Sequence, residues 1–98
     1  MSARLTSLDP RWVVDQGQRR VGVSFACPTC AGMAEPACSG RVAVFVDPPF
    51  DPGPVFLPAW SRVGDTFDDL TITPSIRVSL GRDGEHWHGF VIGGQVTP

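Results

Sequence analysis

Two segments near the start of the chain, residues 11–15 and residues 20–27, have the hydrophobic pattern of β-strands. The alternation is clearest in the second segment, where Val21, Val23 and Phe25 fall on one face, as in a strand with one buried side. The four residues between the segments, Asp-Gln-Gly-Gln at 15–18, have the composition of a turn. The pattern therefore predicts a β-hairpin.

Residues 41–46 give the strongest strand prediction of the chain. Val42, Val44 and Val46 face one way, while Ala43 and Phe45 face the other. Because both faces are apolar, we expect this strand to lie in the centre of a sheet and to be buried on both sides.

The next segment, residues 47–58, contains five prolines and a glycine, which exclude a helix and regular strand pairing. Its large aromatic and leucine side chains are Phe50, Phe56 and Leu57. We expect these side chains to fold back over the core as a lid. The alternative is that they present an apolar surface to a partner.

The last third of the chain is predicted to consist of short strands joined by tight turns. The predicted strands are residues 60–63, 70–73, 76–80, 85–92 and 95–97, with Pro74 as an interruption and a reverse turn at residues 81–84. No periodic segment is long enough for a helix of more than about two turns. The expected fold is a single, mostly β domain spanning residues 1–98, a small antiparallel sheet or meander with little or no helix.

Composition agrees with a small folded domain. The chain has 98 residues, of which 42% are hydrophobic and 18% charged, and this separates it from disordered sequences. A net charge of −2 does not favour binding to nucleic acid. No segment has the pattern of a secretion signal or a membrane span. We therefore expect a soluble intracellular protein that is not secreted by a signal peptide.

The residues that can bind a metal are concentrated in two short stretches. Cys27-Pro-Thr-Cys30 follows a predicted strand, and two thiolates at this spacing are typical of a knuckle that binds tetrahedral zinc. Cys38 follows in the next loop, and His86 and His88 occupy alternate positions of a predicted strand, where their side chains would share a face. The sequence predicts a zinc site formed by Cys27, Cys30 and His88 and completed by His86 or Cys38.

Each of these residues also has a simpler interpretation. The cysteine pair could be a redox pair, although no helix follows it as in thioredoxin-type sites. The odd number of cysteines argues against a disulfide framework. Cys38 could be a small core residue, His86 a surface residue, and His88 a residue at the edge of the core.

The number of protein ligands separates a structural zinc site from a catalytic one. Four protein ligands make a site closed and structural, whereas a catalytic site keeps one position open. A metal-dependent hydrolase would need such a position beside an acid such as Asp83 or Glu85. The sequence has no Gly-x-Ser-x-Gly motif and no phosphate-binding glycine loop. A non-catalytic role is therefore favoured, with the hydrolase as the alternative.

A longer set of short motifs covers most of the chain. It comprises Ala-Arg-Leu-Thr-Ser at 3–7, Val-Ser-Phe-Ala-Cys-Pro at 23–28, Trp60, Gly-Asp-Thr-Phe at 64–67, Leu-Thr at 70–71, Thr-Pro-Ser-Ile at 73–76 and His-Trp-His-Gly-Phe at 86–90. In this combination the chain resembles a family of small uncharacterised proteins found in phages and prophages. The family's zinc-type pattern is a cysteine pair and a cysteine near Trp-His-Gly. Cys27, Cys30 and His88 match it, while the later cysteine falls at about Glu85 or His86.

The resemblance implies a phage accessory protein located in the cytoplasm of the host or associated with the virion. We expect it to act by protein–protein contacts with a host or virion protein and to have no catalytic activity of its own. Inhibition of a host defence or of a host enzyme is one such function. A minor structural component of the virion is an alternative.

Overall fold

The computed structural model describes residues 3–30, 40–55, 58–79 and 85–97, with the backbone alone at Ser79 and Glu85. In this part of the chain, eight strands form one curled sheet. The strands are β1 (Ala3–Arg4), β2 (Arg11–Val14), β3 (Arg20–Ala26), β4 (Arg41–Asp47), β5 (Trp60–Val63), β6 (Thr71–Ser79), β7 (Glu85–Ile92) and β8 (Gln95–Val96).

The strands follow the order β1-β8-β7-β6-β5-β4-β3-β2 across the sheet. Every neighbouring pair is antiparallel except β4 and β5, which are parallel. The only helical element in the described residues is a single 3₁₀ turn at Leu5–Ser7, which the sequence did not predict. The predicted fold class, a small and mostly antiparallel β structure with little helix, is confirmed.

Strands β2 and β3 form the predicted hairpin, with Trp12 opposite Val23. Its turn is stabilised by Asp15, whose Oδ1 accepts hydrogen bonds from the backbone N–H groups of Gly17 and Arg19, both at 2.9 Å. An aspartate that bonds to backbone two residues further on is a common way to fix a tight turn. The local sequence thus carries the information for this hairpin.

Strand β4 lies inside the sheet, between β3 and β5, as predicted. Its three valines are at most 4% exposed, but Ala43 and Phe45 on the opposite face are exposed. The prediction that both faces are buried is therefore wrong. The reason is that the curled sheet encloses one core on its inner side, so only one face of each strand is covered.

Strands β5 to β8 form the predicted meander, since each pairs with the next in the chain. The two strand pieces predicted around Pro74 are one strand, β6. The register between β6 and β7 shifts between Ile72 and Ile76, so the proline lies in an irregular stretch of the ladder, where its missing N–H is tolerated. The turn predicted at residues 81–84 lies outside the described residues.

The core consists of apolar side chains from seven of the eight strands and the 3₁₀ turn. Burial of each large side chain of this kind contributes about 1.5–3 kcal/mol relative to exposure. The fully buried members of the core include Leu5, Val23, Phe25, Leu70, Ile72, Ile76, Val91 and Val96. The sequence's alternating positions in β3 and β4 supply one side of this core and the meander supplies the other.

Part of the proline-rich segment folds back onto the sheet. Phe50 packs edge-on against Trp12, with ring centroids 4.5 Å apart, and Trp12 stacks on Phe67 at 4.2 Å. The guanidinium of Arg62 lies 4.2 Å from the centre of the Phe50 ring. We call Trp12, Phe50, Phe67 and Arg62 the arginine–aromatic latch. Phe56 and Leu57, the other predicted lid residues, lie outside the described residues.

Hydrogen bonds from Arg62 complete the latch. Its Nε donates to the carbonyl of Pro48 at 2.7 Å and its Nη2 to that of Pro49 at 3.2 Å, while Nη1 donates to the carbonyl of Gly64. The Arg62 side chain is only 9% exposed. Proline-rich backbone cannot pair in a sheet, so this buried guanidinium satisfies carbonyls that no strand neighbour reaches.

Candidate metal centre

The cysteine pair lies in a tight turn at the end of β3. The backbone N–H of Cys27 donates to the carbonyl of Gly40 at 2.9 Å, which continues the β3–β4 pairing by one bond. The N–H of Cys30 donates to the carbonyl of Cys27 at 3.0 Å and closes the turn. Cys27 is 0% exposed and Cys30 is 5% exposed. The turn therefore directs both thiol groups into the protein.

A bulge in β7 places His86 beside this turn. Val78 of β6 pairs with Trp87, but the next residue, Ser79, pairs with Glu85, so His86 has no partner of its own in the ladder. Extra residues of this kind redirect a side chain away from the regular alternation. The backbone carbonyl of His86 also accepts a hydrogen bond from the Thr29 hydroxyl at 3.2 Å, which joins β7 to the cysteine turn.

The two cysteines and His86 form one group of potential metal ligands. Their three ligand atoms all lie within 4.8 Å of one another. The Sγ of Cys30 is 3.1 Å from Nε2 of His86. In a tetrahedral zinc site with ordinary bond lengths, the ligand atoms are about 3.5–3.8 Å apart. The group is therefore a possible metal site.

The chemistry of the group is that of a soft, nitrogen- and sulfur-donating site. Two sulfur ligands and an imidazole suit zinc, copper(I) or iron better than magnesium or calcium, which prefer oxygen. Among the described residues, this is the only cluster of three or more histidine, cysteine or acidic side chains with such spacing. No carboxylate belongs to it.

Of the other two predicted ligands, the structure places His88 outside this group. Nε2 of His88 lies 2.7 Å from the hydroxyl oxygen of Ser75, on the exposed face of the sheet. Cys38 lies outside the described residues. Regular alternation predicts that His86 and His88 share one face. The bulge that separates them and the contact of His88 with Ser75 were not predicted. The irregular spacing around Pro74 was the one sequence signal for disturbed pairing in this region.

The site connects strands that are not neighbours. Strands β6, β5 and β4 separate β7 from β3 in the sheet. A metal bound to Cys27, Cys30 and His86 would therefore join two parts of the curled sheet across its core rather than strengthen an existing ladder. The adjacent Trp87 is 4% exposed and packs edge-on against Phe25 at 5.9 Å, so the site borders the core directly.

Comparison with known proteins gives no match to a protein-family model, to a curated protein or to a solved structure. Within the described residues, no helix has the length and apolar character required to cross a membrane. The function must therefore be argued from the site itself.

Proposed function

We propose that the protein is a small zinc-stabilised binding protein, encoded by a phage, that acts by contacts with a host or virion protein and has no catalytic activity of its own. The observation that carries the proposal is the convergence of Cys27, Cys30 and His86 at the border of the core. The metal rests on the geometry of these three side chains. The phage origin and the protein partner rest on the sequence resemblance.

Zinc is favoured by the ligand set. Structural zinc sites in proteins are formed by cysteine and histidine in tetrahedral geometry, and a cysteine pair separated by two residues commonly supplies half of such a site. The hydrogen bond from the N–H of Cys30 to the carbonyl of Cys27 closes the turn that carries both thiols.

A structural role is favoured by the burial of the ligands. A catalytic zinc needs an open position that a substrate can reach. Here both thiols are at most 5% exposed, and the group contains no acid to act as a general base. A fourth protein ligand, for which Cys38 is the residue predicted within the loop after Cys30, would close the site.

Bound zinc would add stability that a domain of this small size lacks. A chain of 98 residues buries a smaller share of its surface than a larger domain and has little stability to spare. Zinc binding contributes ~10–16 kcal/mol of apparent folding free energy in zinc-finger peptides. A rigid scaffold of this kind suits a protein that presents a surface to a partner.

The direct test is the metal content of purified untagged protein by elemental mass spectrometry. We expect one equivalent of zinc in the wild type and its loss in Cys27→Ser, Cys30→Ser and His86→Ala. His88→Ala is the matched control, since it removes the neighbouring histidine from the same strand and should keep the metal. A wild type without bound metal would refute the metal centre.

The hydrolase alternative is favoured by one observation, namely that the described residues supply three ligands, as in many catalytic zinc sites. Cobalt-substituted wild type and cobalt-substituted Cys38→Ser distinguish a structural site from a catalytic one. If Cys38 is a ligand, Cys38→Ser lowers the number of thiolates that the cobalt absorption spectrum reports, and the site is closed. An unchanged spectrum together with zinc-dependent ester or peptide hydrolysis would favour the enzyme.

The partner is tested by chemical cross-linking in phage-infected cells followed by mass spectrometry. We expect wild-type protein to be cross-linked to one host or virion protein and Cys27→Ser to lose that product, because the unfolded variant no longer presents a surface. If the wild type and Cys27→Ser are cross-linked equally, the contact does not require a folded binding surface.

A further inference from the structure

Large apolar side chains are exposed on the outer face of strands β5 and β7. Val63 is 70% exposed, Phe90 is 44% exposed and Ile92 is 52% exposed. Apolar residues scattered singly on a surface are normal, but a contiguous group marks an interaction surface. The strand register decides whether these three belong together.

The register places the three side chains on one continuous surface. Val63 of β5 is opposite Thr71 of β6. Ile72 is opposite Val91, so in this antiparallel pair Thr71 lies beside Ile92 on the outer face. The hydrogen bond from the N–H of Gly93 to the Thr71 hydroxyl, at 2.8 Å, supports this placement.

The next row along the strands extends the same surface. Phe90 is two residues from Ile92 and shares its face, and Thr73 is the neighbouring outward residue of β6. We call Val63, Thr71, Thr73, Phe90 and Ile92 the outer patch. Its polar members are threonines, which carry methyl groups and no charge.

Negative charge borders one end of the outer patch. Asp65 and Asp68 follow Val63 in the turn before β6, and both are exposed; Asp65 also forms an ion pair with Arg62. This turn packs on the β7–β8 turn just after Ile92: a Cβ on Gly94 would lie 2.2 Å from the carbonyl oxygen of Asp68. The glycine permits this close approach and fixes the acidic turn at the edge of the patch.

Positive and ionisable groups border the opposite end. Arg77 of β6 is opposite His88 of β7, and both are exposed on the outer face. His88 precedes Ile92 by four residues, so the two ends of the patch are separated by ~13 Å along β7. The outer patch is thus apolar in the middle, acidic at one end and basic at the other.

We propose that a second copy of this chain binds to the outer patch, with the two copies related by a two-fold axis near Phe90. Such an axis places the acidic turn of each copy over Arg77 and His88 of the other, because a two-fold contact brings the same surface patch against itself in reverse direction. Both charge contacts then form at once.

The charge pattern of the outer patch agrees with this arrangement, because its opposite charges are separated along the strands. A second copy supplies the reversed charge pattern by symmetry. The inference goes beyond the proposed function and does not depend on bound zinc.

The test is sedimentation equilibrium of the metal-loaded full chain, from low micromolar to near-millimolar concentration. We expect a reversible monomer–dimer equilibrium that high salt weakens. Phe90→Asp should weaken dimerisation about 10-fold or more, since it places a charge in the centre of the contact. Phe45→Asp is the matched control, because Phe45 is 38% exposed on the same face of the sheet but outside the outer patch.

A charge exchange tests the orientation of the two copies. Arg77→Asp should weaken the dimer, and combining it with Asp68→Arg should restore it, because the opposite charges again meet across the axis. Cooperative unfolding and unchanged zinc content identify the variants that remain folded. A protein that stays monomeric at every concentration overturns the proposal, and so does an equal effect of Phe45→Asp and Phe90→Asp. A dimer indifferent to the charge exchange overturns the two-fold arrangement.

Discussion

The metal centre and the arginine–aromatic latch both join segments that are distant in sequence, but they do so by different chemistry. The latch consists of stacked rings and a buried guanidinium that already has its acceptors. The candidate metal centre consists of Cys27, Cys30 and His86, whose ligand atoms lie within 4.8 Å of one another. The latch is stabilised by contacts of the chain alone, whereas the candidate metal centre would gain stability from a bound ion.

Removal of zinc should have the largest effect on stability. If Cys27, Cys30 and His86 hold zinc, a strong chelator should lower the free energy of unfolding by several kcal/mol, since binding energy at a structural site is folding energy. Thermal unfolding with and without chelator measures this. Cys30→Ser is the control, because it should resemble the chelated wild type and not respond further. If the wild type unfolds at the same temperature with and without chelator, both regions are stabilised by the chain alone.

Loss of the Trp12 ring should have the next largest effect. Trp12→Ala removes the contacts to Phe50 and Phe67 together, and truncation of such a side chain costs about 3 kcal/mol. Urea unfolding of the zinc-loaded protein measures the change. Trp12→Phe should lose less, since it keeps one ring in place. Zinc content should be unchanged in both variants; a parallel loss of zinc would show that the two regions are coupled.

Replacement of Arg62 tests the polar half of the latch. Arg62→Met keeps much of the side-chain volume but leaves the carbonyls of Pro48 and Pro49 without this donor, at a cost of about 1–3 kcal/mol. Arg62→Lys should not restore the stability, because an ammonium cannot reproduce the planar set of donors. Urea unfolding distinguishes the variants. Full rescue by lysine would mean that charge, and not geometry, is what the latch requires.

The smallest effect is expected at Asp51, which lies in the proline-rich segment beside the latch. Hydrogen bonds from the side chain and backbone of Arg20 lower the pKa of Asp51 from its ordinary 3.8 to about 2. The carboxylate therefore adds stability above pH 3.8 that is lost as the pH falls towards 2. Asp51→Asn should reduce the acid dependence of unfolding in this window. An unchanged profile would show that the ion pair contributes nothing measurable.

Much of the fold was predictable because it depends on local pattern. The alternation in β3, the turn chemistry around Asp15 and the succession of short strands after Trp60 each predict an element that the structure contains. The exposure of Phe45 was not predictable from the same pattern. Two apolar faces in a strand indicate burial on both sides only if a second layer exists, and a sheet that curls around one core has none.

The candidate site was predictable in part. The sequence places Cys27 and Cys30 together, because they are only three residues apart. It could not select between His86 and His88, because that choice depends on a bulge created by the pairing of β7 with β6. The outer patch was also invisible in the sequence, since Val63 and Ile92 become neighbours only through the register of three strands.

The sequence by itself determined the class of fold, the cysteine turn and the hairpin. Periodicity, turn residues and short spacings are local properties that extend over only a few residues. The tertiary structure alone decided which histidine meets the thiols, which face of β4 is covered and which apolar residues share a surface. These features depend on register, and a shift of one residue in a strand moves a side chain to the opposite face of the sheet. No local pattern contains that information.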